Sequence, residues 1–250
     1  MPSDLTTRTT IGSWLQLADP NLTEIMARSG FDWLTIDLEH TSTTLAQAAE
    51  MIRIGSLAGV PMFARISGHD TDQIKRLLDM GVSGIIAPDV RSVADAQRLA
   101  DACYYPPRGT RGVGLARAQG FGRSFEQYLG STANDVVFIP QIEHIDAVEE
   151  LDGILGIDGV AGFFVGPYDL SGSLGLPGQF DHPDVQAALD RVAEFVEPVG
   201  KFAGIHVVDP DIGQLRSAIE RGYRFIGLAS EMLIFSQRME VLAAGIRSVR

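Results

Sequence analysis

The sequence predicts an α/β protein: one (β/α)8 barrel, or TIM barrel, forming a single domain over residues 1–250. First, short apolar runs alternate with helix-like segments eight times along the chain. Second, these runs are almost continuously apolar, as parallel strands are when both faces are buried. Third, 250 residues with 45% hydrophobic content suit one large domain, and no linker or low-complexity tract divides the chain.

The strands are predicted from their apolar runs and from the Gly, Pro or polar residues that end them. They are expected at residues 11–17, 33–38, 61–66, 84–88, 138–143, 163–169, 202–207 and 225–230. The intervening helices are expected at residues 21–29, 46–57, 70–80, 92–102, 145–155, 183–196, 211–221 and 232–246. Thr43 or Thr44 is the expected N-cap of the second helix, while Gly30, Gly59 and Gly81 end the first three.

Two connections are too irregular to be ordinary turns. Residues 104–122 are rich in Gly, Pro and Arg and long for a strand–helix connection, which makes them a candidate functional loop. Residues 171–180 form a second, Gly-rich loop. Within the first loop, Arg111 and Arg117 are interpreted as surface cations.

Charge and composition argue against several classes of partner. The net charge of −12 and the pI near 4.8 argue against nucleic acid and against an anionic membrane. No apolar run approaches the ~20 residues that span a bilayer, and residues 1–5 lack the pattern of a secretory signal. The single cysteine, Cys103, rules out an internal disulfide and indicates a reducing compartment, the cytoplasm.

Two carboxylates end neighbouring apolar runs. Glu143 follows the run that begins at Phe138, and Asp169 follows the run that begins at Phe163. They are 26 residues apart, about one strand–helix unit. Because the carboxyl ends of parallel strands meet at one face of the sheet, the two carboxylates are expected to share one metal ion there.

Further polar residues accompany other strand ends: Asp37, Glu39 and His40 at the second strand, Arg65 in the third and Gln141 in the fifth. A candidate base, a fixed cation and oxygen ligands on one face suit an anionic carbonyl substrate held by a divalent ion. Each also has a structural alternative, because a carboxylate can cap a helix or pair with an arginine, and a lone histidine is more often structural than catalytic. The remaining histidines have no distinctive partners and are interpreted as structural or exposed: His69, His144, His182 and His206.

Five motifs, taken together, identify a family. They are Asp37-Leu38-Glu39-His40, Leu77-Leu78-Asp79-Met80-Gly81, the stretch 105–114, Gln141-Ile142-Glu143 and Gly166-Pro167-Tyr168-Asp169-Leu170-Ser171. In order and spacing they resemble the HpcH/HpaI aldolase family over nearly the whole chain. Within it, the resemblance is closest to members that cleave 4-hydroxy-2-oxoheptanedioate or 2-dehydro-3-deoxy sugar acids.

The resemblance implies a class II pyruvate aldolase of aromatic or sugar-acid catabolism. Such an enzyme reversibly cleaves a 4-hydroxy-2-oxo acid to pyruvate and an aldehyde, through a pyruvate enolate stabilised by a divalent metal ion. Glu143 and Asp169 would bind that ion, with Mg²⁺ or Mn²⁺ expected and Co²⁺ or Zn²⁺ as substitutes. Arg65 and Gln141 would hold the keto and carboxylate oxygens of the substrate, and His40 would transfer protons.

Further site contacts follow from the same resemblance. Asp37 and Asp79 are expected to orient His40, and Tyr168 and Ser171 are expected to contact the substrate. Tyr168 is itself a departure, because the family usually has a small residue there. Its bulk is expected either to narrow the site or to offer a hydroxyl group.

Two other positions depart from the family pattern. Glu231, within Ser230-Glu231-Met232, stands where an Asp-Thr pair is common, and Asp89 replaces a commonly apolar residue. Because of the departure at Glu231, the resemblance does not predict the conformation of the loop after the eighth strand or a contact between subunits there. The family is hexameric, with its C-terminal helix packed on a neighbouring subunit, and residues 232–246 would be that helix here.

The lysine content separates the two aldolase mechanisms. A Schiff-base enzyme needs a desolvated lysine that faces the site from a strand. Only Lys75 and Lys201 occur, the first on a helix and the second just before a strand, at the wrong end of the barrel. The sequence therefore favours metal-dependent chemistry.

Two alternatives stay open beside the aldolase. A CoA-thioester lyase of the malyl- or citryl-CoA type belongs to the same superfamily but would need a basic patch for the nucleotide phosphates, and basic residues cluster only in the 104–123 stretch. A non-catalytic binding protein on the same barrel is the other, and the intact polar residues at the strand ends argue against it.

Overall fold

Eight parallel strands close into a barrel in the order in which they follow along the chain. The computed structural model describes residues 8–196 and 200–249, so residues 1–5, with their predicted lack of a secretory signal, lie outside the described part. Each strand pairs with the next, and the eighth pairs with the first. They are β1 (Thr10–Leu15), β2 (Trp33–Asp37), β3 (Met62–Arg65), β4 (Gly84–Ala87), β5 (Val137–Ile142), β6 (Gly162–Val165), β7 (Phe202–Val207) and β8 (Phe225–Ser230). The predicted (β/α)8 barrel is confirmed.

Helices connect the strands around the outside of the barrel. They are α1 (Pro20–Ala27), α2 (Leu45–Leu57), α3 (Thr71–Met80), α4 (Val93–Cys103), α5 (Phe125–Asp135), α6 (Ile145–Glu149), α7 (Leu151–Gly156), α8 (Pro167–Ser173), α9 (Pro183–Ala193), α10 (Ile212–Glu220) and α11 (Glu231–Ser248). Local sequence explains their ends. Thr44 forms a capping box with Gln47 before α2, and Asp70 caps α3. Gly81 ends α3 at φ 97°, a conformation that strains residues with a side chain.

Two connections differ from the prediction. Helix α5 was not predicted, and it follows a stretch in which Gly120–Gly122 forms a single 3₁₀ turn. Phe125, Tyr128 and Leu129 do have helical spacing, but Gly130 and the polar residues after it weaken the helix signal. The single helix predicted at residues 145–155 is divided at Glu150 into α6 and α7.

The sixth strand is shorter than predicted, which changes the setting of one predicted ligand. Strand β6 ends at Val165, and α8 begins at Pro167. Proline favours a helix start because its fixed φ suits the first turn and its missing N–H is not needed there. Asp169 therefore lies in the first turn of a helix and not at the end of a strand.

Aromatic rings fill the barrel interior near the amino ends of the strands. Trp33, Phe63, Phe202 and Phe225 are buried there, and the rings of Trp33 and Phe225 stack with centroids 3.9 Å apart. Gly12 approaches the Trp33 indole so closely that a Cβ would come within 2.0 Å of it. Because these rings fill the amino end of the barrel, a substrate can bind only at the face formed by the carboxyl ends of the strands.

The irregular segment after α4 is tied to the barrel by a buried arginine. The Arg111 side chain is fully buried and donates hydrogen bonds to Asp79 (2.6 Å) and to the Tyr128 hydroxyl (3.0 Å). Its guanidinium also lies 4.8 Å from the centre of the Tyr105 ring. The interpretation of Arg111 as a surface cation is wrong, because these groups supply the charge and hydrogen bonds that a buried guanidinium needs.

The last helix presents apolar side chains outward. Among the residues of α11 only Glu231 is buried, whereas Phe235, Val241 and Leu242 are 62%, 63% and 53% exposed. A row of exposed large apolar residues on one helix marks a surface suited to protein contact. It does not mark a membrane span, since no helix within residues 8–196 and 200–249 is both long and apolar enough to cross a bilayer.

Candidate active site

Polar side chains replace aromatic ones toward the carboxyl end of the barrel interior. Alternate residues of a strand face the same side, so the inward rows are Trp33–Thr35–Asp37, Phe63–Arg65, Val137–Ile139–Gln141–Glu143 and Phe202–Gly204–His206. The last residue of each row is polar. The structure thus brings Asp37, Arg65, Gln141 and Glu143 to one face, as the sequence indicates.

Asp37 and Arg65 form a buried, two-point ion pair. Arg65 donates from Nε to Asp37 Oδ1 (3.0 Å) and from Nη2 to Asp37 Oδ2 (2.7 Å). Burial by itself would raise the pKa of Asp37, but the hydrogen bonds and the charge of Arg65 outweigh it and hold that pKa below its usual value. The carboxylate also accepts the backbone N–H groups of Glu39 and His40, so it fixes the turn that follows β2.

Arg65 is held on its other sides by an aromatic ring and a second carboxylate. Its guanidinium lies 4.6 Å above the centre of the Trp14 ring. Glu39 Oε2 is 3.2 Å from Arg65 Nε and 3.6 Å from His40 Nε2, and it is buried without a hydrogen bond to any described residue. Burial raises the pKa of Glu39, and the charges of nearby aspartates raise it further against the opposing effect of Arg65. Arg65 is therefore a fixed cation beside an incompletely paired carboxylate.

Glu143 is the most strongly perturbed carboxylate of the site. It is buried, and Oε1 accepts the Asp89 backbone N–H at 2.6 Å while Oε2 accepts a hydrogen bond from the Gln141 amide. Burial, with added repulsion from Glu39 and Asp169, raises the pKa of Glu143 to about 7. Asp89 presents its N–H from a left-handed backbone (φ 50°), a conformation that Asp tolerates better than most residues.

Glycine is required where β6 passes Glu143. A Cβ at Gly166 would lie 2.6 Å from Glu143 Oε2 and 2.9 Å from its Cβ. Three residues further on, Asp169 is exposed, and its negative charge reaches both Glu39 and Glu143 strongly enough to raise their pKa values. The charge of Asp169 thus acts on Glu143, the other predicted metal ligand.

The donor set of this space fits a divalent cation. Burial disfavours the negative charges of Glu39 and Glu143, the charge of Asp169 disfavours both further, and a cation would relieve that repulsion. Gln141 Oε1 is buried without a hydrogen-bond partner among the described residues. Oxygen donors of this kind suit Mg²⁺ or Mn²⁺. Within residues 8–196 and 200–249 no group of three or more His, Cys, Asp or Glu is arranged to hold a metal ion, so water and substrate would complete the coordination.

His40 lies at the rim of the site. Its side chain is 59% exposed and its Nε2 lies 3.6 Å from Glu39. Asp37 accepts the His40 backbone N–H and does not contact the imidazole, so its orienting effect is on the backbone. Asp79 is at the end of α3 that leads into β4, the opposite end of the barrel, where it pairs with Arg111. Within one chain Asp79 therefore does not contact His40, and its predicted orienting role is not seen there.

Ser171 and Tyr168 lie on α8 in different settings. The buried Ser171 hydroxyl donates to the Tyr168 carbonyl (2.6 Å) and accepts the Gly178 N–H (2.9 Å), so it holds the following loop in place. This geometry does not support the predicted substrate contact of Ser171. Tyr168 is 58% exposed, and its ring packs edge-on against Phe180 at 4.9 Å.

Two residues gain roles that the sequence did not indicate. Glu231 is buried, and its Oε1 accepts the backbone N–H groups of Gln16 (2.6 Å) and Leu17 (2.5 Å), which fixes the end of β1. His206, interpreted from sequence as structural or exposed, is the last inward residue of β7 and contacts the Trp14 ring at 5.4 Å between centroids. The sequence does carry a signal for this position. Phe202 faces the barrel interior, and alternate residues of a strand share a face, so Gly204 and His206 are expected to face the interior too.

Comparisons with known proteins cover almost the whole chain. A family model described as HpcH/HpaI aldolase/citrate lyase matches residues 10–237. A hydroxypyruvate/pyruvate aldolase from Roseobacter denitrificans is 37% identical over 239 residues, which span 94% of this chain and 92% of the relative. A 2-keto-3-deoxy-L-rhamnonate aldolase from Klebsiella pneumoniae is 34% identical over 243 residues, which span 96% of this chain and 90% of the relative.

Structural similarity leads to the same family. A crystal structure of an HpcH/HpaI aldolase/citrate lyase family protein from Burkholderia cenocepacia gives a TM-score of 0.89 at 31% sequence identity, covering 96% of this chain and 95% of that one. The barrel, the polar residues at its carboxyl end and the sequence matches are mutually consistent. The chain belongs to the HpcH/HpaI aldolase/citrate lyase family.

Proposed function

We propose that this chain is a metal-dependent retro-aldolase that cleaves a 4-hydroxy-2-oxo acid to pyruvate and an aldehyde, and that also catalyses the reverse addition. The observation that carries the proposal is a fixed arginine, Arg65, paired with Asp37 and Glu39, together with a buried Glu143 on which the charges of Glu39 and Asp169 act. A fixed cation and a cation-binding site on one face are suited to the carboxylate and the adjacent keto oxygen of an oxo acid. The family and the aldolase activities of its relatives support the same reaction.

The metal ion is expected at Glu143 and Asp169, with Mg²⁺ or Mn²⁺ the best fit to their oxygen ligands. When bound, it supplies Lewis acidity toward the keto and carboxylate oxygens of the oxo acid. Arg65 contributes a second positive charge toward the keto oxygen, where negative charge develops as the carbon–carbon bond breaks. The two hydrogen bonds that Arg65 donates to Asp37 orient the guanidinium before substrate arrives.

Gln141 and His40 complete the proposed chemistry. Gln141 donates one amide N–H to Glu143, and its second amide N–H is the donor proposed for the keto and carboxylate oxygens of the substrate. In cleavage, the C4 hydroxyl loses its proton, the C3–C4 bond breaks with its electron pair moving to the pyruvyl fragment, and C3 is then protonated. His40, exposed at the rim beside Glu39, is the group proposed to accept and return that proton.

We also propose a homo-oligomer, a hexamer by family resemblance, in which α11 packs on a neighbouring chain. The exposed Phe235, Val241 and Leu242 support this because they would be buried there. The cytoplasm is the proposed compartment, supported by the single cysteine, Cys103, which is free and buried. Light scattering of purified protein before and after Phe235→Glu would test the assembly, since a mass unchanged between the two would contradict an α11 interface.

The decisive experiment measures pyruvate release from a panel of 4-hydroxy-2-oxo acids, coupled to lactate dehydrogenase. Activity is expected with Mg²⁺ or Mn²⁺, to disappear with EDTA and to return when the metal is restored. Glu143→Gln should lower kcat/KM by at least about 100-fold. The matched control is Glu149→Gln, since Glu149 is an exposed carboxylate on α6. Activity that survives both EDTA and E143Q would contradict the proposed metal role.

The same assay distinguishes the proposed aldolase from a CoA-thioester lyase. Three arginines, Arg53, Arg76 and Arg117, do line a cavity of about 290 Å³, but it lies beside the end of α3 that leads into β4, away from Arg65 and Glu143. A nucleotide bound there would not bring its thioester to the barrel mouth. Metal-stimulated cleavage of malyl-CoA, with no cleavage of free oxo acids, would favour the lyase over the aldolase.

A further inference from the structure

A second cavity opens at the carboxyl end of the barrel between β7, β8 and the start of α11. Its volume is about 390 Å³, and its polar lining consists of Gln16, His206, Ser230 and Ser236, with apolar residues such as Val208 and Met232 beside them. None of the described lining residues is an acid, a lysine or an arginine. The cavity is therefore suited to a short, uncharged group that has both carbon and hydroxyl parts.

This cavity adjoins the proposed catalytic residues. Gln16 Nε2 lies 3.4 Å from Asp37 Oδ2, on the oxygen that also accepts from Arg65. His206 is close enough to Arg65 and Asp37 for their charges to act on its pKa. A substrate whose oxo-acid end lies at Arg65 would therefore have its distal carbons within reach of Gln16 and His206.

His206 has unused hydrogen-bonding capacity. Its Nε2 is buried and has no hydrogen-bond partner among the described residues. Burial lowers the pKa of His206 to about 4, so the ring is neutral near pH 7, while a hydrogen bond to the Ala229 backbone partly opposes the shift. A neutral imidazole has one donor and one acceptor nitrogen, and a hydroxyl group can both donate and accept. The unpaired Nε2 can therefore pair with a hydroxyl group in either tautomer.

The backbone beside His206 is irregular in a way that shapes this cavity. Ala229 has φ 50°, unusual for a residue with a Cβ, and the pairing of β1 with β8 shifts register between Gly12 and Trp14. Such irregularities redirect side chains at the ends of strands and are frequent at functional sites. At this register shift, the Trp14 ring packs beneath Arg65 and beside His206.

We propose that His206, with Gln16 and Ser230, forms a subsite that accepts a hydroxyl group of the aldehyde-derived part of the substrate, and that His206 determines the preference for hydroxylated over plain aldehydes. This inference rests on the proposed aldolase function. Leaving a buried acceptor unpaired lowers the affinity for an analogue that lacks the hydroxyl group. A charged distal group is disfavoured because the lining offers it no opposite charge.

The test compares glycolaldehyde with propionaldehyde, which replaces the hydroxyl group by a methyl group of similar size. The readout is the ratio of the kcat/KM values for aldol addition of pyruvate to the two aldehydes. In the native chain this ratio should favour glycolaldehyde, and His206→Leu should lower it by about tenfold or more. His206→Gln, which keeps a polar group near the position of Nε2, should retain more of the ratio than H206L. The control is His182→Leu, since His182 is a partly exposed histidine that caps α9 and does not line this cavity, so the ratio should stay unchanged.

A second readout separates the subsite from the proposed function. Exchange of the C3 hydrogens of pyruvate with D₂O requires the metal and Arg65 but no aldehyde. If the native chain shows no exchange, the proposed aldolase function fails. If exchange occurs but H206L leaves the aldehyde ratio within about twofold of native, or glycolaldehyde does not react, only the subsite is overturned. Should leucine prevent folding, His206→Phe fills the same space beside Trp14 and serves the same comparison.

Discussion

Asp37 holds Arg65 through two hydrogen bonds of 2.7 and 3.0 Å while accepting two backbone N–H groups from the turn that carries His40. One carboxylate therefore sets the position of the fixed cation and of the backbone at the proposed proton-transfer residue. A buried ion pair with two parallel hydrogen bonds favours a single orientation of the guanidinium. It makes Asp37 a positioning residue whose effect should appear in both stability and catalysis.

Replacing Asp37 by Asn should separate these two effects. D37N leaves the Arg65 charge without its buried partner, so the free energy of unfolding is expected to fall by about 3 kcal/mol. The kcat/KM for cleavage should also fall, by about 100-fold, since Arg65 is no longer held at the keto oxygen. Urea unfolding and the pyruvate assay measure the two quantities. The control D72N removes an exposed partner of Lys75 and should change neither; unchanged activity in D37N would contradict the positioning role.

Gly166→Ala should displace Glu143. The new Cβ would lie 2.6 Å from Glu143 Oε2, so the carboxylate must move away from its bond with Gln141. The concentration of Mn²⁺ needed for half-maximal activity should rise at least about tenfold, as expected when the support of a ligand is disturbed. Gly172→Ala is the matched control, since a Cβ at that position of α8 meets nothing within 4 Å. Equal metal requirements in the two variants would show that Glu143 does not hold the ion.

Replacing Glu231 by Gln should change the free energy of unfolding by an amount that depends on pH. Burial raises the pKa of Glu231 in the folded chain, despite the N–H groups of Gln16 and Leu17 that it accepts. The folded state therefore keeps this proton to a higher pH than the unfolded state does, and stability from the group is lost as pH rises through the folded pKa. Gln keeps the accepting oxygen and has no charge to bury. Measured by urea unfolding, E231Q should be more stable relative to the native chain at pH 8 than at pH 4, and a reversed trend would contradict it.

Tyr168 should influence substrate choice more than stability. The ring is 58% exposed beside Asp169 and rests against Phe180, so its removal exposes little buried surface. Tyr168→Ala is expected to change the ratio of kcat/KM values between long and short oxo acids by about fivefold or more, because it widens the mouth. Tyr168→Phe isolates the hydroxyl group and should resemble the native chain if only bulk matters. Ratios that agree within error in all three proteins would exclude Tyr168 from selectivity.

The sequence by itself determined the barrel and the residues at its catalytic face. Continuous apolar runs predict strands buried on both faces, and strand-end polar residues must then meet at one end. That reasoning placed Asp37, Arg65, Gln141 and Glu143 correctly, because each lies on or directly after a strand. It failed for α5, whose three large apolar residues are followed by Gly130 and a polar stretch, and for Asp169, which an early helix start placed beyond the strand end.

Only the tertiary structure decided how these residues are paired. Arg111 is buried through contacts from residues distant in sequence, Ser171 is occupied by its own loop, and Asp79 lies at the opposite end of the barrel from His40. His206 was dismissed from sequence because its partners, Trp14 and Ala229, come from other strands. Local pattern fixes which side of a strand a residue occupies, whereas burial and hydrogen bonding depend on what the closed barrel brings beside it. For Glu143 this difference is chemical, since burial, with added repulsion from Glu39 and Asp169, raises its pKa to about 7.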